Sequence, residues 1–284
     1  MSHKNKKSLK QQMDQALMAM YAPGRSKHAD KATGNTRDHI YSMSTLDAYK
    51  KHCAAFLDFV RERDPSVRQL ADAGRYADEW IQSRIDAGDS AFTIKLRRAA
   101  LVKLYQNPQV VTIDLPERSI GDITRSRNAV TEDRHFSEAN NADLVMFCRA
   151  TGLRRHELAQ VTGEDLRILD GVPYVYVRQG KGGKSRLVPV IRNHEAVTAM
   201  MLAAGSSLVF DNISGHADIH GYRREYAQAV YDANARPLED LHHEEIYYCR
   251  GVKKGTHYDR QALSIVSKAL GHNRLSVAAE NYLL

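Results

Sequence analysis

Four short segments hold the residues with chemical potential: TGLRRHEL (Thr151 to Leu158), GKGGKSRLVPV (Gly180 to Val190), HGYRREYAQ (His220 to Gln228) and LGHNRLSVAAENYL (Leu270 to Leu283). Arginines offer planar forks for oxyanions, lysine and histidine can carry protons, and tyrosine offers a nucleophilic oxygen once deprotonated. Arg154 follows a glycine turn and opens an expected helix, where free backbone N–H groups favour an anion. Taken alone, an arginine at such a place is more often a surface residue. His272 alone would be structural, and Tyr282 alone an ordinary C-terminal aromatic. The pattern H-x-x-R occurs twice, at His220 to Arg223 and at His257 to Arg260.

Lys181 sits in a Gly-rich turn between two expected strands, a tip able to carry an ammonium into a groove or toward a leaving oxygen. Gly183-Lys184-Ser185 has the ending of a phosphate-binding loop, but the first glycine of that pattern would fall at Arg178. Strands on both sides of the turn, rather than a strand and a helix, also argue against an ATPase. His242-His243-Glu244-Glu245 offers metal-ligand types, yet adjacent residues point apart, so no metal is expected there. Tyr247, Tyr248, Cys249 and Arg250 are read as packing or bracing residues.

The elements that must position these groups follow from periodicity. Residues 1 to 37 form an arm expected to be flexible: up to Thr36, seven lysines and arginines face only Asp14 and Asp30, a surplus of five. A short amphipathic helix is possible within it, at Gln12 to Tyr21. Residues 38 to 107 read as a small all-helical bundle. Leu46, Tyr49, Cys53, Phe56, Leu57 and Val60 recur at helical spacing, and helices follow near Tyr76 to Ala87 and from Ser90 or Thr93 through Leu104. Arg97, Arg98 and Lys103 give this bundle a basic side and are DNA-contact candidates. Pro108, Pro116 and the cluster Arg118, Arg125, Arg127 mark residues 108 to 135 as a linker.

Residues 136 to 284 form the second domain. Helices are expected at Asn141 to Ala150, closed by Gly152, and at Leu153 to Val161. The period then switches from 3.6 to 2 over Val172 to Val177 and again over Leu187 to Val190, a β-hairpin. Beyond Asn193 the chain reads as helices joined by loops, with a polar insertion from about Arg236 to Gly255. The fold class is therefore mainly α with a small β-hairpin (α+β).

Length and charge agree with this division. A chain of 284 residues suits two domains. The net charge of +7 and pI near 9.2 favour a polyanionic partner. No apolar stretch approaches a membrane span, and no signal peptide follows the Lys-rich start, so nucleic acid in the cytoplasm is the expected partner and place. Cys53, Cys148 and Cys249 are too few and too scattered for a disulfide framework or zinc site.

Taken together and in order, the four segments resemble the tyrosine recombinase/integrase family. The resemblance implies that Arg154 and Arg223 hold the scissile phosphate, His272 adds a hydrogen bond, His220 takes the tyrosine proton, Lys181 protonates the leaving 5′ oxygen, and Tyr282 attacks. Glu157 matches the acidic position of T-G-L-R-x-x-E-L. His220 is preferred to His257 because His257 stands only fifteen residues before His272, too close for the helix and loop that separate these motifs. Arg224 stands where the family commonly has histidine, and the insertion resembles a subgroup from mobile elements. Lys184 and Arg186 are backbone-contact candidates.

The family further implies a helical core-binding domain and a catalytic domain closing as a clamp on double-stranded DNA. It also implies a homotetramer on recombination sites, an accessory directionality factor and a nucleoid-associated, cytoplasmic location. It implies a 3′-phosphotyrosine intermediate needing no cofactor or metal, serving integration or excision of a mobile element. A catalytically silent DNA-binding relative and a type IB topoisomerase-like enzyme are the competing classes. Only Leu283 and Leu284 follow Tyr282. The expectation is that a docking tail is missing and that either the insertion makes assembly contacts or the tyrosine helix is loosely held.

Overall fold

A computed structural model describes residues 7–119, 135–180 and 183–283. The chain divides into two compact units, Met1–Asp122 and Ile123–Leu284.

The first unit contains α1 (Leu9–Ala19), α2 (Lys27–Ala32), α3 (Met43–Arg63), α4 (Leu70–Ala73), α5 (Ala77–Asp86) and α6 (Ala91–Tyr105). Serines cap four of these: Ser8, Ser26, Ser42 and Ser90 each accept a backbone N–H of the first turn. The described part of the expected flexible arm, residues 7–37, is largely helix: the short helix allowed at Gln12 to Tyr21 is α1, and its Met13 and Leu17 are buried in the same core as Phe56, Trp80, Ile94 and Leu101. Apolar contact thus outweighs the solubility of the surrounding lysines. Phe56 lies 5.4 Å from the Trp80 ring and 6.3 Å from Tyr105. The start of the expected linker also belongs to this unit: Val111 is buried, and Asp78 accepts the Thr112 N–H at 2.7 Å. Arg118 lies over Phe92 at 5.6 Å; Arg125 and Arg127 fall outside the described residues.

The second unit contains α7 (Ala142–Thr151), α8 (Arg155–Leu158), β1 (Leu166–Leu169), β2 (Val172–Val177), β3 (Arg186–Pro189), α9 (His194–Ala204) and α10 (Ile219–Asp232). It ends with β4 (Ile246–Tyr248), β5 (His257–Asp259), α11 (Arg260–Ala269) and α12 (Leu275–Asn281). The expected hairpin gains a third strand: the antiparallel order is β1-β2-β3, with Leu166 opposite Val175 and Val175 opposite Val188. Val175, Val177 and Val188 face a core built with Phe147, Leu153, Met201, Tyr226 and Val266.

Two further expectations need correction. The segment after Asn193 is not helices and loops alone, since β4 and β5 pair with Tyr247 opposite Tyr258. The helix expected over Leu153 to Val161 shrinks to α8, because Arg154 is extended (φ −76°, ψ 157°) and Thr162 is recaptured by the Asp165 carboxylate.

Candidate active site

Gly152 sets the geometry. It ends α7 in the left-handed region (φ 57°), its N–H reaching the Cys148 carbonyl at 2.8 Å. A Cβ there would meet the Tyr226 ring at 2.4 Å. The turn aims Arg154 inward two residues later, and its own carbonyl accepts a hydrogen bond from Nη1 of Arg223 on α10.

Arg154 and Arg223 then meet at a single oxygen. The Leu270 carbonyl, at the C-terminus of α11, accepts Nη2 of Arg154 at 3.0 Å and Nη2 of Arg223 at 2.6 Å. Two like charges are drawn together because the helix end concentrates negative charge there. Arg223 is almost completely buried (1% exposed). Burial and the neighbouring Arg154 charge pull its pKa down to about 10, with Tyr282 and Glu157 opposing. Its Nε is buried and has no acceptor among the described residues.

Glu157 holds Arg154 from behind. Its Oε1 accepts Arg154 Nη1 at 2.9 Å and Arg186 Nη1 at 2.8 Å, while Oε2 accepts the Arg154 N–H and Arg186 Nη2, both at 2.8 Å. Burial alone would push this carboxyl up, but the two guanidinium groups and the Arg154 N–H outweigh it and hold the pKa at about 2. Arg186, expected from the sequence as a DNA contact, therefore faces inward, its Nε also donating to the Ala269 carbonyl at 3.0 Å. Sequence alone offered no signal for this pairing across 29 positions.

Tyr282 follows α12 directly. Its ring centroid lies 5.1 Å from that of His272 and 5.4 Å from the Arg223 guanidinium carbon. The next residue, Leu283, is buried in the core, so the tyrosine helix is anchored rather than loosely held.

The structure thus brings together Arg154, Arg223, His272 and Tyr282. His220 lies in the first turn of α10, one turn before Arg223, and is exposed. The alternative pair lies elsewhere in the unit: His257 packs on Tyr248 at 4.7 Å, and Arg260 donates to the Ile246 carbonyl. Lys181 lies outside the described residues. Lys184, in the same turn, is exposed and reaches Asn273 Oδ1 at 3.4 Å, beside His272.

Three cations of the first unit have internal partners. Arg97 pairs with Asp89 at 2.8 Å beside Trp80, and Arg98 donates to the Pro108 carbonyl. Lys103 donates to the carbonyls of Thr36, Arg37 and His39, and burial lowers its pKa. Among the described residues there is no metal-binding cluster and no helix long and apolar enough to cross a membrane.

Two family models match the chain. The phage integrase family covers residues 127–236, and the phage integrase N-terminal SAM-like domain covers residues 37–107. The chain belongs to the tyrosine recombinase family, and its activity is site-specific recombination. Among individual relatives, it is similar to a tyrosine recombinase of Thermosipho africanus (strain TCF52B), with 24% identity over 261 residues, 84% of this chain and 88% of that protein. Its fold is similar to that of the XerH site-specific recombinase bound to palindromic difH in a post-cleavage complex. That comparison gives a TM-score of 0.54 and 16% identity, covering 96% of this chain and 90% of the other. A pre-cleavage XerH–difH complex gives the same TM-score and identity, covering 95% of this chain and 92% of the other.

Proposed function

We propose that this chain cuts and rejoins double-stranded DNA by transesterification, with Tyr282 attacking the scissile phosphorus to form a 3′-phosphotyrosine and release a 5′ oxygen. The observation that carries this is the convergence of Arg154 and Arg223 on one oxygen, with the Tyr282 ring beside Arg223 and His272. A phosphodiester gains charge on its non-bridging oxygens during displacement, and two guanidinium forks answer that charge. The orphaned Arg223 Nε supports the same reading, since a buried donor without an acceptor costs about 1–3 kcal/mol and an incoming oxyanion would relieve it.

His272 then adds a hydrogen bond, His220 accepts the phenolic proton, and Lys181 protonates the departing 5′ oxygen. A second 5′-hydroxyl reverses the reaction on a new partner, with the ester's energy conserved. Two duplexes must be held together, so four protomers assemble on the DNA, with an accessory directionality factor choosing the direction. The XerH complexes with difH are in keeping with a DNA partner. The insertion's likeness to mobile-element integrases points to integration or excision of such an element.

Nicked duplexes, selected from a randomised pool for binding to the chain, test the reading. Wild type should give an SDS-stable protein–DNA complex and Tyr282→Phe none. A Tyr282→Phe complex formed at the wild-type rate would remove Tyr282 from its role.

A further inference from the structure

The cleavage chemistry proposed for Tyr282 leaves one contact at the C-terminal end of its helix without a role. α12 spans only seven residues and carries no basic residue in its last turn. Its terminal carbonyls therefore lack the local cation that often satisfies a helix C-terminus. The cation comes instead from the polar insertion. Lys253 Nζ donates to the Ala279 carbonyl at 3.0 Å and to the Leu283 carbonyl at 2.5 Å. These two acceptors bracket Tyr282, three residues before it and one after.

The insertion that carries this lysine is itself braced. Arg236, at its start, forks onto Asp259 with both contacts at 2.9 Å and reaches Glu245 at 2.7 Å. Arg236 keeps the Asp259 carboxyl well below the ordinary carboxylate range. The β4–β5 pairing ties the middle of the insertion to the strand that leads into α11. Lys253 thus links a braced surface segment to the backbone on either side of the nucleophile, and buried Leu283 fixes the end of the helix.

We propose that Lys253 is a positioning residue for strand cleavage: it latches the tyrosine helix from within the same chain and keeps the Tyr282 oxygen in register with Arg154 and Arg223. The cleavage part of this rests on Tyr282 being the nucleophile; the latch itself does not. A misplacement of about 1 Å in a reacting group can slow a reaction by up to about 10²-fold, so a side-chain latch at this point has leverage on rate without touching DNA.

The test uses the full chain with Lys253→Met, which keeps the aliphatic stem and removes the donor, and Lys253→Arg, which restores one. Hydrogen exchange of the amides of residues 275–283 should quicken about tenfold in Lys253→Met and return toward wild type in Lys253→Arg, with Phe56 and Leu101 amides unchanged. On a nicked duplex, single-turnover formation of the covalent complex should fall about tenfold or more, with Kd for DNA within about twofold of wild type, and the arginine variant should recover most of the rate. Unchanged exchange at 275–283 overturns the latch. Quickened exchange with an undiminished cleavage rate overturns the positioning role. If wild type forms no covalent complex, the nucleophile assignment falls, while the exchange measurement still decides the latch.

Discussion

Replacing Glu157 by glutamine removes the charge that both Arg154 and Arg186 clamp. The carboxylate is 1% exposed and its two arginine partners 12% and 11%, so solvent cannot take over its role. It accepts four hydrogen bonds, two on each oxygen. Glutamine keeps one acceptor oxygen and turns an NH2 group toward donors. A folded-state pKa of about 2 against an ordinary 4.5 corresponds to about 3 kcal/mol of stability at neutral pH. The folded value is depressed, so the contribution is fully present above pH 4.5 and is lost as pH falls through about 2.

Urea unfolding followed by far-UV circular dichroism reads this directly. At a slope of about 2 kcal/mol per M, Glu157→Gln should lower the midpoint of the second unit by about 1.5 M at pH 7. The protein's single tryptophan, Trp80, lies in the core of the first unit and serves as an internal control, since its fluorescence transition should stay in place. The gap between wild type and variant should narrow between pH 4.5 and 2. A gap that is independent of pH, or a fluorescence transition that shifts equally, would refute the assignment of the stability to this carboxylate.

Gly152→Ala should destabilise the second unit by about 3 kcal/mol, because alanine is strained at φ 57° and its methyl collides with Tyr226; a midpoint within error of wild type would contradict this. Arg154→Lys keeps the charge but not the fork, and single-turnover cleavage should drop about 10²-fold with little change in DNA affinity; a rate within threefold of wild type would count against the paired-arginine reading. Burial pushes the thiols of Cys53 and Cys148 up to about 12, so a thiol reagent at pH 8 should label neither until urea unfolds the chain. Rapid labelling in the native state would show that the cores open more readily than their packing indicates.

What the sequence revealed about the site depended on local spacing. Arg154, Arg223, His272 and Tyr282 are recognisable because each sits in a short motif, and the structure draws these four together. Partners distant in sequence were not legible. Arg186 looked like another cation on a basic hairpin, and nothing in its neighbours disclosed that it forks onto Glu157. Lys253 lay in an insertion with no motif at all. The fold shows the same division. The α3 periodicity read directly into burial of Leu46, Cys53, Phe56, Leu57 and Val60. By contrast, β1 was missed because Arg167, Ile168 and Leu169 are all exposed, so no alternation marks it. Within the arm the sequence allows a short helix at Gln12 to Tyr21 but not its docking, because the buried Met13 and Leu17 of α1 are outnumbered by lysines and glutamines.

The proposed chemistry makes one covalent bond to the protein, from the Tyr282 oxygen to the scissile phosphorus. Wild-type chain trapped on a nicked duplex, digested with protease and sequenced by mass spectrometry should carry a 3′-phosphonucleotide on the peptide that contains Tyr282, and on no other tyrosine. A covalent adduct at another residue, such as Tyr258 or Tyr247, would contradict the proposed site however well its arginines converge.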